Sequence, residues 1–406
     1  MRILLVHERY QQRGGEDEVF ETESRLLKEH GHEVRQHVIS NDEIDSSRPL
    51  SLAVSTVWNQ AAARSLEGAI DTFAPDVAHF HNTFPLLSPA VYSAAKRRGV
   101  PVVKTHHNYR LLCTNALLFR EGRVCESCVG SLLPWKGVIH GCYRKSRAAS
   151  GVVAATVGIH RAIGTWRRDI DVHIALTDFA REKLVTAGIP RDRIVVKPNF
   201  VHPDPGPGSG GGEYALFVGR LSEEKGIRTL LDAWKTIGTR LPVRIVGDGP
   251  LSEIVGEAAR SVPGVEWLGR QPRERIDQLM RAAECVILPS ACFEGLSRVL
   301  IESYAVGTPV VASRLGAMQA LVEPNVTGLH FRASDPADLV KVLTRELARQ
   351  DGFTRMRKST RAEFERNYTN DVNYQLLMDV YRRAGLTMAA LPRPAQDTGG
   401  VVDASI

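Results

Sequence analysis

Residues 201–212 read VHPDPGPGSGGG, a run of proline, glycine and serine through which neither a helix nor a strand persists. This run divides the 406-residue chain into two halves of ordinary domain size, and 43% apolar residues give each half material for its own core. Both halves then repeat one pattern: a short apolar run too brief for a helix, a polar loop, and an amphipathic stretch. Such runs occur at 1–6, 76–82, 100–104 and 172–177 in the first half, and at 214–219, 243–246, 265–270, 285–289 and 309–312 in the second. The alternation predicts the α/β class, with a doubly wound parallel sheet in each half. The expected divisions are a first domain over 1–201, a linker over 202–212 and a second domain over 213–369. A helix over 370–386 is expected to cross back onto the first domain, and 389–406 reads as a disordered tail.

No apolar run reaches 18 residues, so no transmembrane helix is expected, and Glu8 and Arg9 follow the opening run too early for a secretory signal. Six Cys in such a chain predict a reducing, cytoplasmic setting. Charge is placed unevenly. Residues 1–200 hold 27 Lys/Arg against 21 Asp/Glu and residues 201–406 hold 25 against 25, so the whole net +6 belongs to the first half. Within 96–168 the count is 14 Lys/Arg against only Glu121 and Glu126, which predicts an acidic partner or anionic surface. No nucleic-acid module and few interleaved aromatics accompany these clusters, which argues against nucleic acid and for an anionic membrane surface.

Four stretches carry candidate chemistry. Residues 293–302 read FEGLSRVLIE after the apolar run 285–289. A helix is expected to start here with Glu294 and Gly295 in its first turn, so that Glu294 and Glu302, eight residues apart, share one face, and Gly295, Leu296 and Ser297 lie where first-turn N–H groups favour an anion. Arg220 and Lys225 follow the apolar run 214–219. Gly14 and Gly15 precede an amphipathic stretch that Gly31 ends, without the spacing of a dinucleotide fingerprint. Thr105-His106-His107-Asn108 closes the run 100–104.

These stretches, in this order, resemble the retaining glycosyltransferases of family 4, which have the two-domain GT-B fold, and the resemblance covers most of residues 1–385. It implies transfer of a sugar from a nucleoside diphosphate donor to an acceptor hydroxyl, without a metal. Arg220 and Lys225 then match the diphosphate-binding pair, Glu302 the ribose-binding carboxylate, Glu294 the carboxylate on the donor sugar hydroxyls, and His107 the histidine beside the donor sugar. Gly14 and Gly15 match the loop facing the diphosphate, and Gly269 and Arg270 stand where the backbone meets the nucleotide base. His81, Asn82 and Asn108, at strand ends of the first half, are the acceptor-side candidates. A lipid-linked acceptor in cell-surface glycan assembly is the expected substrate, with a soluble small-molecule acceptor or a phosphorylase reaction as alternatives.

Two features fall outside the resemblance. Cys113, Cys125, Cys128 and Cys142 include a C-x2-C pair, and their spacing is compatible with a structural zinc site, with reduced free thiols or with a redox role. Asp169-Ile170-Asp171 spells a D-x-D motif ahead of a strand and reads as solvated charge.

Overall fold

A computed structural model describes residues 1–12, 14–44 and 49–385; the tail expected over 389–406 lies outside them. In chain order the first half forms β1 (Arg2–Arg9), β2 (Glu33–Ser40), β3 (Val77–Phe80), β4 (Val102–His106), a short hairpin of β5 (Phe119–Arg120) and β6 (Arg123–Val124), β7 (Val172–Ala175) and β8 (Ile194–Val196). Six of these make a parallel sheet in the order β2-β1-β3-β4-β7-β8. The second half forms β9 (Ala215–Val218), β10 (Val243–Val246), β11 (Val265–Gly269), β12 (Cys285–Leu288), β13 (Val310–Ser313) and β14 (Gly328–Phe331), parallel in the order β11-β10-β9-β12-β13-β14. This is the expected GT-B architecture of two doubly wound sheets.

Helices cover both faces, so the central strands carry near-continuous apolar runs: Ile3, Leu4, Leu5 and Val6 are all fully buried, as are Val286 and Ile287. The helix Asn370–Arg383 returns to the first domain and seats Leu377, Met378 and Tyr381 against Ile3, Leu5 and Phe20. Burial of such side chains stabilises the docking by about 1.5–3 kcal/mol each.

Four sequence expectations are corrected. The helix carrying Glu302 begins at Arg298, with Ser297 as its N-cap, so Glu294 lies in the preceding loop and the two carboxylates do not share a helical face. The loop persists because Glu294 is tied down by Lys225 and Ser290, and because the Gly295 carbonyl accepts from Thr177 Oγ1. The linker is not a free coil either. Gly208, Gly210 and Gly212 donate to the carbonyls of Val306, Arg281 and Ala282, and a Cβ on Gly208 would stand 2.5 Å from the Arg281 oxygen, so glycine permits close packing here. Asp169 and Asp171 are not solvated: Asp169 is buried and accepts from Ser93 Oγ, and Asp171 holds Lys96 Nζ at 2.8 Å and the Val102 N–H at 2.8 Å. Finally, Lys96, Arg97 and Arg98 are neutralised by Asp171, Glu67 and Asp71. The uncompensated charge of this domain lies further along the chain.

Candidate active site

In open parallel sheets ligands bind beyond the carboxyl ends of the strands, where the strand order reverses. Those points are β9/β12 in the second sheet and β1/β3 in the first, and they face each other across a cleft of about 1710 Å³.

The second-domain wall is built from the loops after β9, β10 and β12. Gly226 has φ +72°, and a Cβ there would stand 1.8 Å from the Pro289 carbonyl oxygen, so only glycine lets the β9 loop close on the β12 loop. That contact delivers Lys225 to Glu294. Lys225 Nζ lies 2.7 Å from Glu294 Oε1, which also accepts from Ser290 Oγ at 2.6 Å. Burial alone would raise the Glu294 pKa, but Lys225 and the Ser290 hydrogen bond outweigh it, and the carboxyl is held below its ordinary value. Glu302 shows the same arrangement one layer back: Arg273 and Arg298 both bond its Oε1, Arg298 at 3.0 Å. In both carboxylates Oε2 accepts no hydrogen bond from a described residue; Glu294 lines the cleft, whereas Glu302 is buried behind Arg298 and does not itself line it. Arg220 is exposed in the cleft and makes no hydrogen bond or ion pair with any described residue. Leu296, Ser297, Arg298 and Val299 line the same wall, where the helix beginning at Arg298 presents its first amides; the Leu300 N–H is already taken by the Ser297 carbonyl at 3.2 Å. Arg270 reaches the cleft and pairs with Asp248 at 3.3 Å, while the Gly269 carbonyl holds the Gly247 N–H at 2.8 Å.

On the first-domain wall Gly14 and Gly15 line the cleft, but the Gly14 N–H is taken by Asp17 Oδ2 at 2.7 Å. Glu16, Asp17 and Glu18 occupy the first turn of the helix Gly15–Glu29 and already satisfy its dipole, so this loop offers little to an anion. His107 lines the cleft at the end of β4, and its backbone oxygen would lie 3.0 Å from a Cβ on Gly295. Tyr109 Oη donates to the Glu294 carbonyl at 3.1 Å. The loop carrying Glu294 is thereby seated on the first domain beside His107.

Behind His107 runs a buried chain of imidazoles. Glu23 Oε2 holds Lys197 Nζ at 3.0 Å, Glu23 Oε1 lies 3.2 Å from His81 Nε2, and His81 Nδ1 lies 3.1 Å from His107 Nε2. Burial would raise the Glu23 carboxyl, but Lys197 and the histidines hold it well below its usual range. Burial pushes His81 down to about 3 and His107 well below 6.5, so both rings are neutral. The tautomers follow. An ionised Glu23 only accepts, so His81 donates from Nε2 and accepts at Nδ1; His107 then donates from Nε2 and keeps Nδ1 as an acceptor. Glu23, His79 and His81 have the composition of a metal site, but the carboxylate is already occupied by Lys197 and two imidazoles. The acceptor-side candidates His81, Asn82 and Asn108 line a separate chamber of about 70 Å³ that shares Tyr10, Glu16, Phe84, His107 and Arg110 with the main cleft.

Comparison with known proteins bears directly on this geometry. Residues 14–199 match the model of the glycosyl transferase 4-like domain, and residues 212–349 match that of glycosyl transferases group 1. The phosphatidyl-myo-inositol mannosyltransferase of Mycobacterium leprae is 30% identical over 257 residues, 61% of this chain and 67% of that protein. The chain belongs to the group 1 glycosyltransferases. The Mycobacterium tuberculosis mannosyltransferase of the same name is 35% identical over 132 residues, 32% of this chain, and the match spans only 35% of that relative. Among solved structures, HepE from Anabaena in complex with UDP and glucose superposes with a TM-score of 0.65 at 18% identity, covering 93% of this chain and 98% of that one. That likeness is one of fold.

Seen as a group 1 glycosyltransferase, the chain holds residues that motif reading passed over. Arg298 lies inside the FEGLSRVLIE stretch; it lines the cleft, bonds Glu302, and its Cδ would sit 3.5 Å from a Cβ on Gly15 of the opposite wall. Glu23 and Lys197 are 174 positions apart, and no local pattern links them. A lysine at the end of an apolar strand was the one available sign of a buried partner. Cys113, Cys125, Cys128 and Cys142 line a small cavity away from the strand ends, apart from Cys142, which also reaches the main cleft.

Proposed function

We propose that the protein transfers a glycosyl group from a nucleoside diphosphate sugar to an acceptor hydroxyl, with retention and without a divalent cation in the chemical step. The observation that carries this is Arg220: an unpaired cation at the β9/β12 reversal, in the cleft that the Glu294 carboxylate also lines with one oxygen open. When the bond between the anomeric carbon and the diphosphate breaks, negative charge gathers on the leaving oxygens. Arg220 meets it with paired hydrogen bonds, Lys225 with the donors not used by Glu294, and the helix at Arg298 with its first-turn amides. Glu302 Oε2 then receives the ribose hydroxyls, Glu294 Oε2 the sugar hydroxyls, and His107 Nδ1 accepts from the sugar on the opposite side. Because Glu294 is engaged as a paired carboxylate, substitution on one face suits the site better than a covalent intermediate. The acceptor oxygen bonds the anomeric carbon from the face the diphosphate leaves, and a phosphate oxygen takes the acceptor's proton.

The acceptor we propose is lipid-linked, reached at the cytoplasmic face of an anionic membrane. No helix is long and apolar enough to cross a membrane. Leu50 and Val54 on the helix Pro49–Val57, Leu132, Leu133, Trp135 and Ile139 around the helix Trp135–Ile139, and Ile159 on the helix Arg147–Ala162 are exposed apolar side chains on three helices that pack together. Lys136, Arg144, Lys145 and Arg147, none ion-paired with a described residue, are exposed along or between the same segments, and Arg167 is exposed on the adjoining helix Thr165–Arg168. Apolar anchors mixed with cations suit a headgroup region, where each cation contributes about 1 kcal/mol. The relatives named phosphatidyl-myo-inositol mannosyltransferase, after a lipid, favour the same reading.

Two assays test it. With UDP, GDP, ADP and dTDP sugars in EDTA, one donor is expected to release its nucleoside diphosphate; release that requires added Mg²⁺, or sugar phosphate as the only donor accepted, contradicts the proposal. In vesicle sedimentation, binding is expected with anionic lipid, weakening as salt rises and lost in Leu132→Asp with Trp135→Asp. Equal recovery with neutral and anionic vesicles removes the membrane reading alone.

A further inference from the structure

Between His107 and Ser146 the only regular elements are β5, β6 and the five-residue helix Trp135–Ile139. Five of the ten non-glycine residues with positive φ among the described residues fall here: Ala116, Leu118, Glu121, Arg144 and Lys145. Each such position costs about 1–2 kcal/mol relative to a relaxed backbone. The first part of the segment is anchored in the core by Tyr109, Leu111, Leu112 and Leu118, whereas residues 120–146 bury few apolar side chains and have little else to hold their backbone.

Cys113, the C-x2-C pair Cys125 and Cys128, and Cys142 line one cavity of about 10 Å³ together with Arg120 and Lys136. All four are free thiols, and the remaining two cysteines, Cys285 and Cys292, lie in the second domain. Thr114 is fully buried and lines the same cavity, and its hydroxyl lies beside the Cys142 thiol.

We propose that these four cysteines hold a structural zinc ion. A space of this size takes one ion and no organic ligand, and four sulfur donors select zinc over the oxygen-seeking magnesium and calcium. Arg120 and Lys136 oppose the net negative charge of a zinc tetrathiolate, and the Thr114 hydroxyl is placed to donate to a ligating sulfur. No three of the sulfurs lie within 4.8 Å of one another. Ligands about 2.3 Å from a tetrahedral centre stand roughly 3.8 Å apart. A change of χ1 rotamer swings a cysteine sulfur by about 3 Å, and binding of the ion requires such rotations of the cysteines that line the cavity. Asn115, Tyr143 and Arg144, next to these ligands in sequence, line the main cleft. The ion therefore braces the first-domain wall against which an acceptor would lie.

The test is metal content, which does not depend on catalysis, so failure of this proposal and failure of the glycosyl-transfer reading are distinguishable. Full-length protein purified without chelators or metal-affinity resin is expected to carry about one zinc per chain, falling at least tenfold in Cys125→Ser with Cys128→Ser. Should that variant not fold, the unaltered protein still decides. Cobalt exchanged into it should give intense sulfur-to-cobalt charge-transfer absorption, and alkylation of the four cysteines should be slow until a chelator is added. Zinc below about a tenth of an equivalent, with alkylation equally fast before and after chelator, overturns the proposal. So does zinc fully retained in the double variant.

Discussion

Arg220, Glu302 and Glu294 divide the work of holding a donor, and the division predicts different kinetic signatures. Glu302→Ala removes the oxygen offered to ribose and leaves Arg273 and Arg298 without their shared partner. Nucleotide affinity should drop roughly 10-fold or more with a smaller change in kcat. Arg220→Ala removes a group whose contact strengthens as the diphosphate leaves, so kcat should fall about 10²-fold with a smaller change in affinity for the intact nucleotide sugar. The reverse pattern, measured by calorimetry and steady-state kinetics, would reverse the assignments. Glu23→Gln leaves the Lys197 ammonium buried without its counter-charge, a loss of about 3–5 kcal/mol in chemical unfolding. Adding Lys197→Met should restore most of it; a double variant as unstable as the single one would mean that Lys197 is not the reason Glu23 is ionised. At this scale the sequence revealed what lies in motifs. Arg220, Lys225 and His107 end apolar runs and face the cleft, whereas the tautomer of His107 is set by Glu23 and His81, which are distant in the chain.

Among the elements, the alternation of short apolar runs and amphipathic stretches was readable because parallel strands buried on both faces must be apolar throughout. The helix start at Arg298 was not readable, because Glu294 and Gly295 are compatible with either a first turn or a loop. Contacts with Lys225, Ser290 and the first domain decide for the loop. Glycine-rich stretches misled for a related reason, since the sequence does not distinguish glycine that flexes from glycine that lets two backbones touch. Gly226→Ala tests the second role. With φ +72° and a Cβ directed into the Pro289 carbonyl, it should cost more than about 2 kcal/mol of stability and displace Lys225. An unchanged unfolding midpoint and unchanged nucleotide affinity would show that the β9 and β12 loops tolerate separation.

For the whole molecule, buried neutral histidines set the pH response. His81 and His173 have pKa values pushed by burial to about 3 and about 4, against about 6.5 in an unfolded chain. On acidification the unfolded state binds protons first, so stability present above pH 6.5 is lost as pH falls toward 4, by about 1.4 kcal/mol per histidine at pH 5.5. His106 and His107, also held well below their ordinary value by burial, add to the loss. Glu8 opposes it: burial raises its carboxyl to about 7, and lowering the pH from about 7.5 to 5.5 returns about 2 kcal/mol. The histidines outnumber it, so the urea midpoint should fall over that interval; a rising midpoint would contradict the buried neutral rings. The two walls also predict a division of the donor, with its diphosphate on Arg220 and Lys225 of the second domain and its sugar against His107 of the first. The most direct measurement compares His107→Ala with the unaltered protein, titrating nucleoside diphosphate by calorimetry and following turnover of the intact nucleotide sugar. Nucleoside diphosphate affinity is expected to stay within about 2-fold while turnover falls at least 10²-fold. Equal loss of diphosphate affinity, or full turnover retained, would contradict a donor held between the two domains.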